Sequence, residues 1–318
     1  MRLAALALVA LLAFATSGEG RARTLKGDGP TAIAVGFGSV WVGMGSGQVV
    51  RLDARTGRET ARLAAPPMAF VHGLVVAHGA VWVLRGSLAK LDPRTGRSRE
   101  VDDFGSATAF TIAASDRALW IADDGANTIV RIDPAGARRA AVIRVPGRAV
   151  GLAARGRHVL VVSVPRSGPV TGPSGRRLLR RIDPQTNRLS PPLVELDCDP
   201  GIAVGRAAVW TTDPCAGWLV RRDPATLRPT GRVRVPRWHV PVLGFGSVWL
   251  VGGKKLFRVD PGTLVVQAWI RARGDTAAAA AHAMWVLSWG GAVRGTVTRV
   301  DPKTNRVIGR PVRVVSKS

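Results

Sequence analysis

Histidine, cysteine and paired acids are the residue types here best suited to acid–base, nucleophilic or metal chemistry. The chain has five histidines and two cysteines. His72 and His239 are the two histidines placed to act as a general base, a role that needs an orienting carboxylate or metal nearby. Acid partners are sparse. Only four glutamates occur, Glu19, Glu59, Glu100 and Glu195, and no histidine stands two residues before a glutamate. Adjacent Asp123 and Asp124 offer hard oxygen ligands to a divalent cation, though aspartate also favours turns for its own backbone hydrogen bonds. Cys198 and Cys215 are too few for a thiolate metal site, and an even count in an exported chain points to a bridge, with two free thiols as the alternative.

These residues are positioned by a repeat. Residues 33–58 read IAVGFGSVWVGMGSGQVVRLDARTGR and residues 242–263 read VLGFGSVWLVGGKKLFRVDPGT. The shared unit is a small-apolar strand, a turn, an apolar-Trp-apolar strand, a loop, and a strand ending in an Asp-Pro-x-Thr-Gly/Asn turn. Its tryptophan falls at Trp41, Trp82, Trp120, Trp210, Trp249 and Trp285, with Leu160 in the fourth copy. Its aspartate falls at Asp53, Asp92, Asp133, Asp183, Asp223, Asp260 and Asp301, spaced 39, 41, 50, 40, 37 and 41 residues apart. A period near 40 with four short strands per unit predicts an all-β, seven-bladed β-propeller with four antiparallel strands per blade, occupying residues 31–318. A flat, large tryptophan suits the space between blades. Aspartate opening the turn, proline presetting φ and glycine supplying a positive φ make a tight hairpin.

The segments GFGSVWVG (36–43), NTIVRIDP (127–134) and TRVDPKTNRVIG (298–309) resemble the YVTN-type and streptogramin-lyase-like propellers of bacteria. That resemblance implies the propeller fold over nearly the whole mature chain. For the lyases it also implies a histidine base beside glutamates that hold magnesium. LDARTG (52–57) is similar to the repeat of quinone-cofactor dehydrogenase propellers, whose docking tryptophan after the glycine is not found in residues 58–63.

Lettering each blade's strands A to D outward from the channel, the B–C and D–A loops share one face and the A–B and C–D turns the other. Variation in length is concentrated in the B–C loops, either because that face binds a ligand or because loops vary wherever variation is harmless; on the first reading it is the expected ligand face. It carries the long blade 4 loop at 163–177 with Arg166, the two cysteines, His72, His239, Trp238, Trp289 and Asp124. The expected ligand contacts are Trp238, His239, His72, Asp124, Arg166 and Trp289. Any metal falls to Asp123 and Asp124. A disulfide between Cys198 and Cys215 would clamp two loops of blade 5 and stabilise the fold by roughly 3 kcal/mol. His78, His158 and His282 fall in A–B turns on the other face.

Arg2 followed by an apolar run from Leu3 to Ala15 and small residues reads as a signal peptide over 1–17, too short to span a bilayer, with a lead-in at 18–30. The expected location is extracytoplasmic, with no stable membrane span after cleavage. A formal net charge of +25 attracts polyanions. Arginines such as Arg51, Arg131, Arg181, Arg222, Arg258 and Arg299 recur beside the repeat aspartate, which spreads charge round the outer rim. With no tyrosine and most tryptophans assigned to the core, stacking platforms for nucleic acid are lacking. The partner expected is therefore a protein or an anionic envelope component. The functional expectation is an exported binding or scaffold propeller without a defined cofactor. The alternative is a metal-assisted lyase or lactonase with His72 or His239 as base and a divalent cation held by aspartates.

Overall fold

The structure, a computed structural model, describes residues 29–63, 70–104, 109–165, 176–196, 198–237, 239–280, 282–289 and 295–315. Residues 1–28, where the signal peptide and most of the lead-in are expected, and Arg166 and Trp238 lie outside them. The described residues form seven four-stranded antiparallel sheets, each a simple meander, and contain no helix. The blades run over 30–63, 73–103, 109–144, 148–196, 202–234, 240–270 and 276–313. The propeller begins one residue earlier than expected, at Pro30.

The apolar-Trp-apolar runs form strand B, buried on both faces because a blade is packed between two others. The core is seven separate clusters, one in each gap between neighbouring blades. Trp41, Trp82, Trp120, Leu160, Trp210, Trp249 and Trp285 each belong to a different one of these clusters. All seven are at most 3% exposed. Aromatic area therefore holds blade to blade, as the repeat implied.

Among the described residues the ring closes without a shared sheet, by packing and one side-chain hydrogen bond. Strand A of the last blade (Thr276–Ala280) lies against strand A of the first (Pro30–Gly36). Trp285 and Val314 share a cluster with Ile33, Val40 and Val50. All four strands of blade 7 come from the C-terminal part of the chain, the outermost being Arg306–Arg313.

The Asp-Pro turns are C–D hairpins. Asp53 Oδ1 accepts the Thr56 N–H at 2.7 Å, the Arg55 N–H at 3.1 Å and the Thr56 hydroxyl at 2.7 Å. The Thr56 hydroxyl and N–H hold the Asp53 carboxyl below its usual range. The hairpin's last residue has positive φ, and glycine or asparagine fills it in four blades. Leu227 (φ 59°) and Leu264 (φ 62°) fill it in blades 5 and 6. Left-handed backbone costs a branched residue about 1–2 kcal/mol. Leu227 offsets that by complete burial in the gap between blades 4 and 5. Leu264 does so by lying over Gly231, where an added Cβ would meet its Cδ1 at 2.5 Å. In blade 4 the outer strand is only Val194–Leu196. Pairing opens at Leu189, which bridges Ile182, and Pro191 and Pro192 then remove two ladder donors, so the strand proper resumes only beyond them.

The recurrent strand C cations are not an outer rim of free charge. Arg51, Lys90, Arg131, Arg181 and Arg221 each donate to a proline carbonyl in the next blade's hairpin, that of Pro93, Pro134, Pro184, Pro224 and Pro261, at 2.7–3.1 Å. Arg258 reaches Pro302 O at 2.5 Å, and Arg299 reaches Arg55 O at 2.7 Å across the closure. In five blades the same cation sits 5.2–5.7 Å from the centroid of its own blade's repeat tryptophan. The side chain thus bridges blades, donating to a carbonyl on one side and facing an indole on the other. Arg222 stands beside Asp223 in the sequence, but Arg221 is the bridging residue of blade 5. Arg222 points the other way, because adjacent strand residues face opposite sides of a sheet.

Candidate functional site

On the face of the B–C and D–A loops, acids meet arginines. Asp124, in the blade 3 B–C loop, takes both sides of the Arg148 fork, with Nε to Oδ1 at 2.7 Å. Asp102 is held likewise by Arg139 of the next blade, both bonds at 2.7 Å. Arg177, 1% exposed at its side chain, donates to Asp199 Oδ1 at 2.5 Å. Arg176 pairs with Glu195, and Arg85 lies 3.6 Å from Glu100. Bidentate pairing of this sort neutralises a carboxylate and uses both its oxygens. Asp123 is 6% exposed, and its Oδ1 accepts the Ala126 N–H at 3.2 Å as a turn-former does. Among the described residues no group of three or more His, Cys, Asp or Glu is placed to hold a metal ion.

The two histidines are not brought to these acids. His72, in the D–A loop entering blade 2, lies between Phe70 and Phe110 with ring centroids 4.9 and 4.8 Å away. Burial in this apolar sandwich pushes its pKa down to about 4. His239 is 9% exposed, packs edge-on against Phe257 at 5.2 Å, and donates from Nδ1 to the carbonyls of Pro236 and Arg237 at 3.1 and 2.8 Å. Burial lowers its pKa as well. Both rings are therefore neutral near pH 7. Trp289 is half-buried against the closure cluster, and its backbone N–H donates to Asp275 Oδ2 at 2.8 Å. Of the ligand contacts expected from the sequence, His72, His239, Asp124 and Trp289 stand in four different blades or their loops.

The neutral His72 has a consequence for stability. The unfolded chain takes up the proton near the ordinary pKa of 6.5, and the folded chain only near 4. Between these values the unfolded state binds more protons, so stability is full above the window and falls as pH drops through it. The loss expected by the acid end is about 2–3 kcal/mol. His72→Phe should remove that share of the slope, as read from urea midpoints at pH about 7 and about 4.5. The hairpin carboxyls of Asp53 and Asp92, held below the usual range by hydrogen bonds from Thr56 and from Thr95, titrate below this window.

Cys198, in the D–A loop entering blade 5, and Cys215, in the B–C loop of the same blade, form a disulfide with Cα atoms 6.0 Å apart. It ties two loops of one face together and sits beside the Arg177–Asp199 pair. The bridge is compatible with an oxidising, extracytoplasmic compartment.

The described clefts open on the opposite face, among the A–B and C–D turns. One of about 820 Å³ lies between blades 5 and 6 and is lined by Arg155, Arg206, Trp210, Arg222, Leu243 and Phe245. A smaller one of about 330 Å³ crosses the A–B turns of blades 3 to 5, past Asp116, Arg155, Arg157 and His158. Arg155 and Arg206 have no carboxylate partner among the described residues. The sequence reading places Arg222 on the charged rim, although, aligned by strand C, blade 5 alone has a charge immediately before the aspartate.

No protein-family model matches the chain, and no curated protein matches it. Solved structures do. The chain is similar to the computationally designed Ika8 protein, at 14% identity over 91% of this chain and 89% of that one, with a TM-score of 0.62. It is also similar to a chain of a nidogen–laminin complex, at 10% identity over 72% of this chain and 91% of that one, with a TM-score of 0.54. The likeness is one of fold. At these identities it carries no activity, ligand or partner.

Proposed function

We propose that the chain is an exported binding scaffold of the cell envelope, engaging a protein or an anionic envelope component with the face of the B–C and D–A loops. The observation that carries this reading is the pairing of that face's acids. Asp102, Asp124 and Asp199 each accept from an arginine, and His72 and His239 are neutral and held by aromatic rings or main-chain carbonyls. A metal-assisted lyase or lactonase needs carboxylates free to hold a cation and a histidine oriented toward it. The YVTN-type resemblance fits the scaffold, because such repeats carry binding proteins as well as enzymes. The disulfide and the apolar leader support export.

A thermal-shift screen with calcium, magnesium, anionic glycans and wall polymers tests the proposal. The expected result is a shift with an anionic polymer that weakens as salt is raised, and none with either cation. A shift produced by calcium or magnesium and abolished by Asp124→Asn would overturn it in favour of the metal-assisted enzyme.

A further inference from the structure

The A–B turns differ sharply from blade to blade. In blades 1, 2 and 6 their tips are Phe37-Gly38, His78-Gly79 and Phe245-Gly246, and residues 280–283 of blade 7 read AAHA. Every arginine at these turns falls in three consecutive blades: Arg117 in blade 3, Arg155 and Arg157 in blade 4, and Arg206 in blade 5. Arg117, Arg157 and Arg206 are exposed, and Arg155 is half-buried. Among the described residues none of these four side chains has a carboxylate within reach or donates to an acceptor. The one acid at the turns is Asp116. Its backbone N–H donates to Gly156 O at 3.4 Å, which ties the turn of blade 3 to that of blade 4.

The four arginines line one continuous groove. A cavity of about 400 Å³ between the turns of blades 3 and 4 has Arg117 and Arg157 in its wall and the hairpin residues Pro184 and Gln185 on its outer side. It runs into the 330 Å³ cleft past Arg155, His158 and Arg206, the two sharing Asp116, Gly156 and Arg157. Positive charge accumulates along this path. His158 is held below its usual range first by burial and then by Arg181 and Arg157. A groove lined by one sign of charge between low-dielectric walls focuses its field, so a chain of anions laid along it is attracted at several points at once. Neither cavity is lined by Phe, Trp or Tyr. A polymer held through its rings, whether bases or sugars, finds no stacking platform there. A polymer that carries its charge in a ring-free backbone needs none.

We propose that the groove over the A–B turns of blades 3 to 5 binds an extended phosphodiester polymer, a chain of phosphates joined by short polyol links. Arg117, Arg157 and Arg206, one from each blade, present guanidinium forks to successive phosphates, and Arg155 adds charge at the middle of the path. The groove opens on the face opposite the B–C and D–A loops. It therefore gives the chain a second binding face, and either proposal can fail without the other.

Fluorescently labelled poly(glycerol phosphate), polygalacturonate and neutral dextran are the probes, titrated with the whole protein and read by anisotropy. Poly(glycerol phosphate) is expected to bind more tightly than polygalacturonate, and dextran not at all. Its affinity should fall at least about tenfold between about 50 and about 200 mM salt. The double variant Arg157→Gln/Arg206→Gln should weaken it by about tenfold or more and flatten the salt dependence, because two phosphate contacts are lost. Its melting temperature should not change, since both side chains are exposed and unpaired. Arg99→Gln/Arg310→Gln removes the same net charge from exposed outer strands of blades 2 and 7 and should leave the affinity nearly unchanged. Arg176→Gln, on the loop face, should do the same. An equal loss in the two double variants would mean that net charge alone attracts the polymer. A loss with Arg176→Gln but not with the turn variant would move the polymer to the loop face. Either result, or tighter binding of polygalacturonate, would overturn the assignment.

Discussion

Trp285→Ala is expected to lower the unfolding free energy by about 3–5 kcal/mol, the range for truncating a buried tryptophan. The side chain is fully buried in the cluster that joins blade 7 to blade 1. That gap is where the first and last blades meet, and among the described residues no strand crosses it. What holds it is apolar contact, the approach of strands Thr276–Ala280 and Pro30–Gly36, and one bond from Arg299 to Arg55 O. Removing the indole opens a cavity whose rim is two blades that share no sheet, so the cost includes looser packing on both sides. Trp285→Phe should lose much less, because the Trp285 N–H has no partner to forfeit. Urea midpoints for the two variants, with Trp249→Ala for comparison, measure this. A loss below about 1 kcal/mol for Trp285→Ala would mean that packing does not hold the ring closed.

Arg131→Ala should cost about 2–4 kcal/mol, the sum expected for lost charge-assisted hydrogen bonds and a cation–π contact. Arg131 Nη1 donates to Pro184 O at 2.7 Å and to Asn187 Oδ1 at 2.8 Å, both in the next blade's hairpin. Its guanidinium carbon is 5.5 Å from the Trp120 ring centroid. Truncation leaves a partly buried carbonyl without a donor and takes a cation from the indole face. Arg131→Lys should recover about half of the loss, since Lys90 makes the corresponding bond to Pro134 O at 3.1 Å in blade 2. The acceptors are a carbonyl and an amide, so the loss should change little with salt, unlike that of a surface ion pair. Urea midpoints at low and high salt separate the two cases.

These effects bear on how the positive charge is read. By composition the chain is a polycation, and at the sequence level its recurrent arginines are a charged rim. In the fold, seven strand C cations join blade to blade and several others neutralise acids on the loop face. Net charge thus overstates the charge left free, because it does not separate the cations that join blades or hold acids from those that pair with neither.

By itself the sequence determined seven blades, the four-strand meander, the Asp-Pro hairpins, the inter-blade tryptophans and the blade membership of both cysteines. All of these follow from period and residue type, because strand alternation and turn geometry act over a few neighbours and repeat in register. Tertiary structure decided the rest. Whether a strand C arginine faces solvent or the next hairpin depends on a contact about 40 residues away, which no local pattern contains. His72 and His239 were legible as histidines in loops. Their neutrality was not, since it comes from Phe70, Phe110 and Phe257, brought in by neighbouring strands and loops. Arg222 lies between the two cases. Its departure from the aliphatic register is visible in the aligned repeats, but its burial against Thr211 and Leu227 exists only once blades 4 and 5 are packed together.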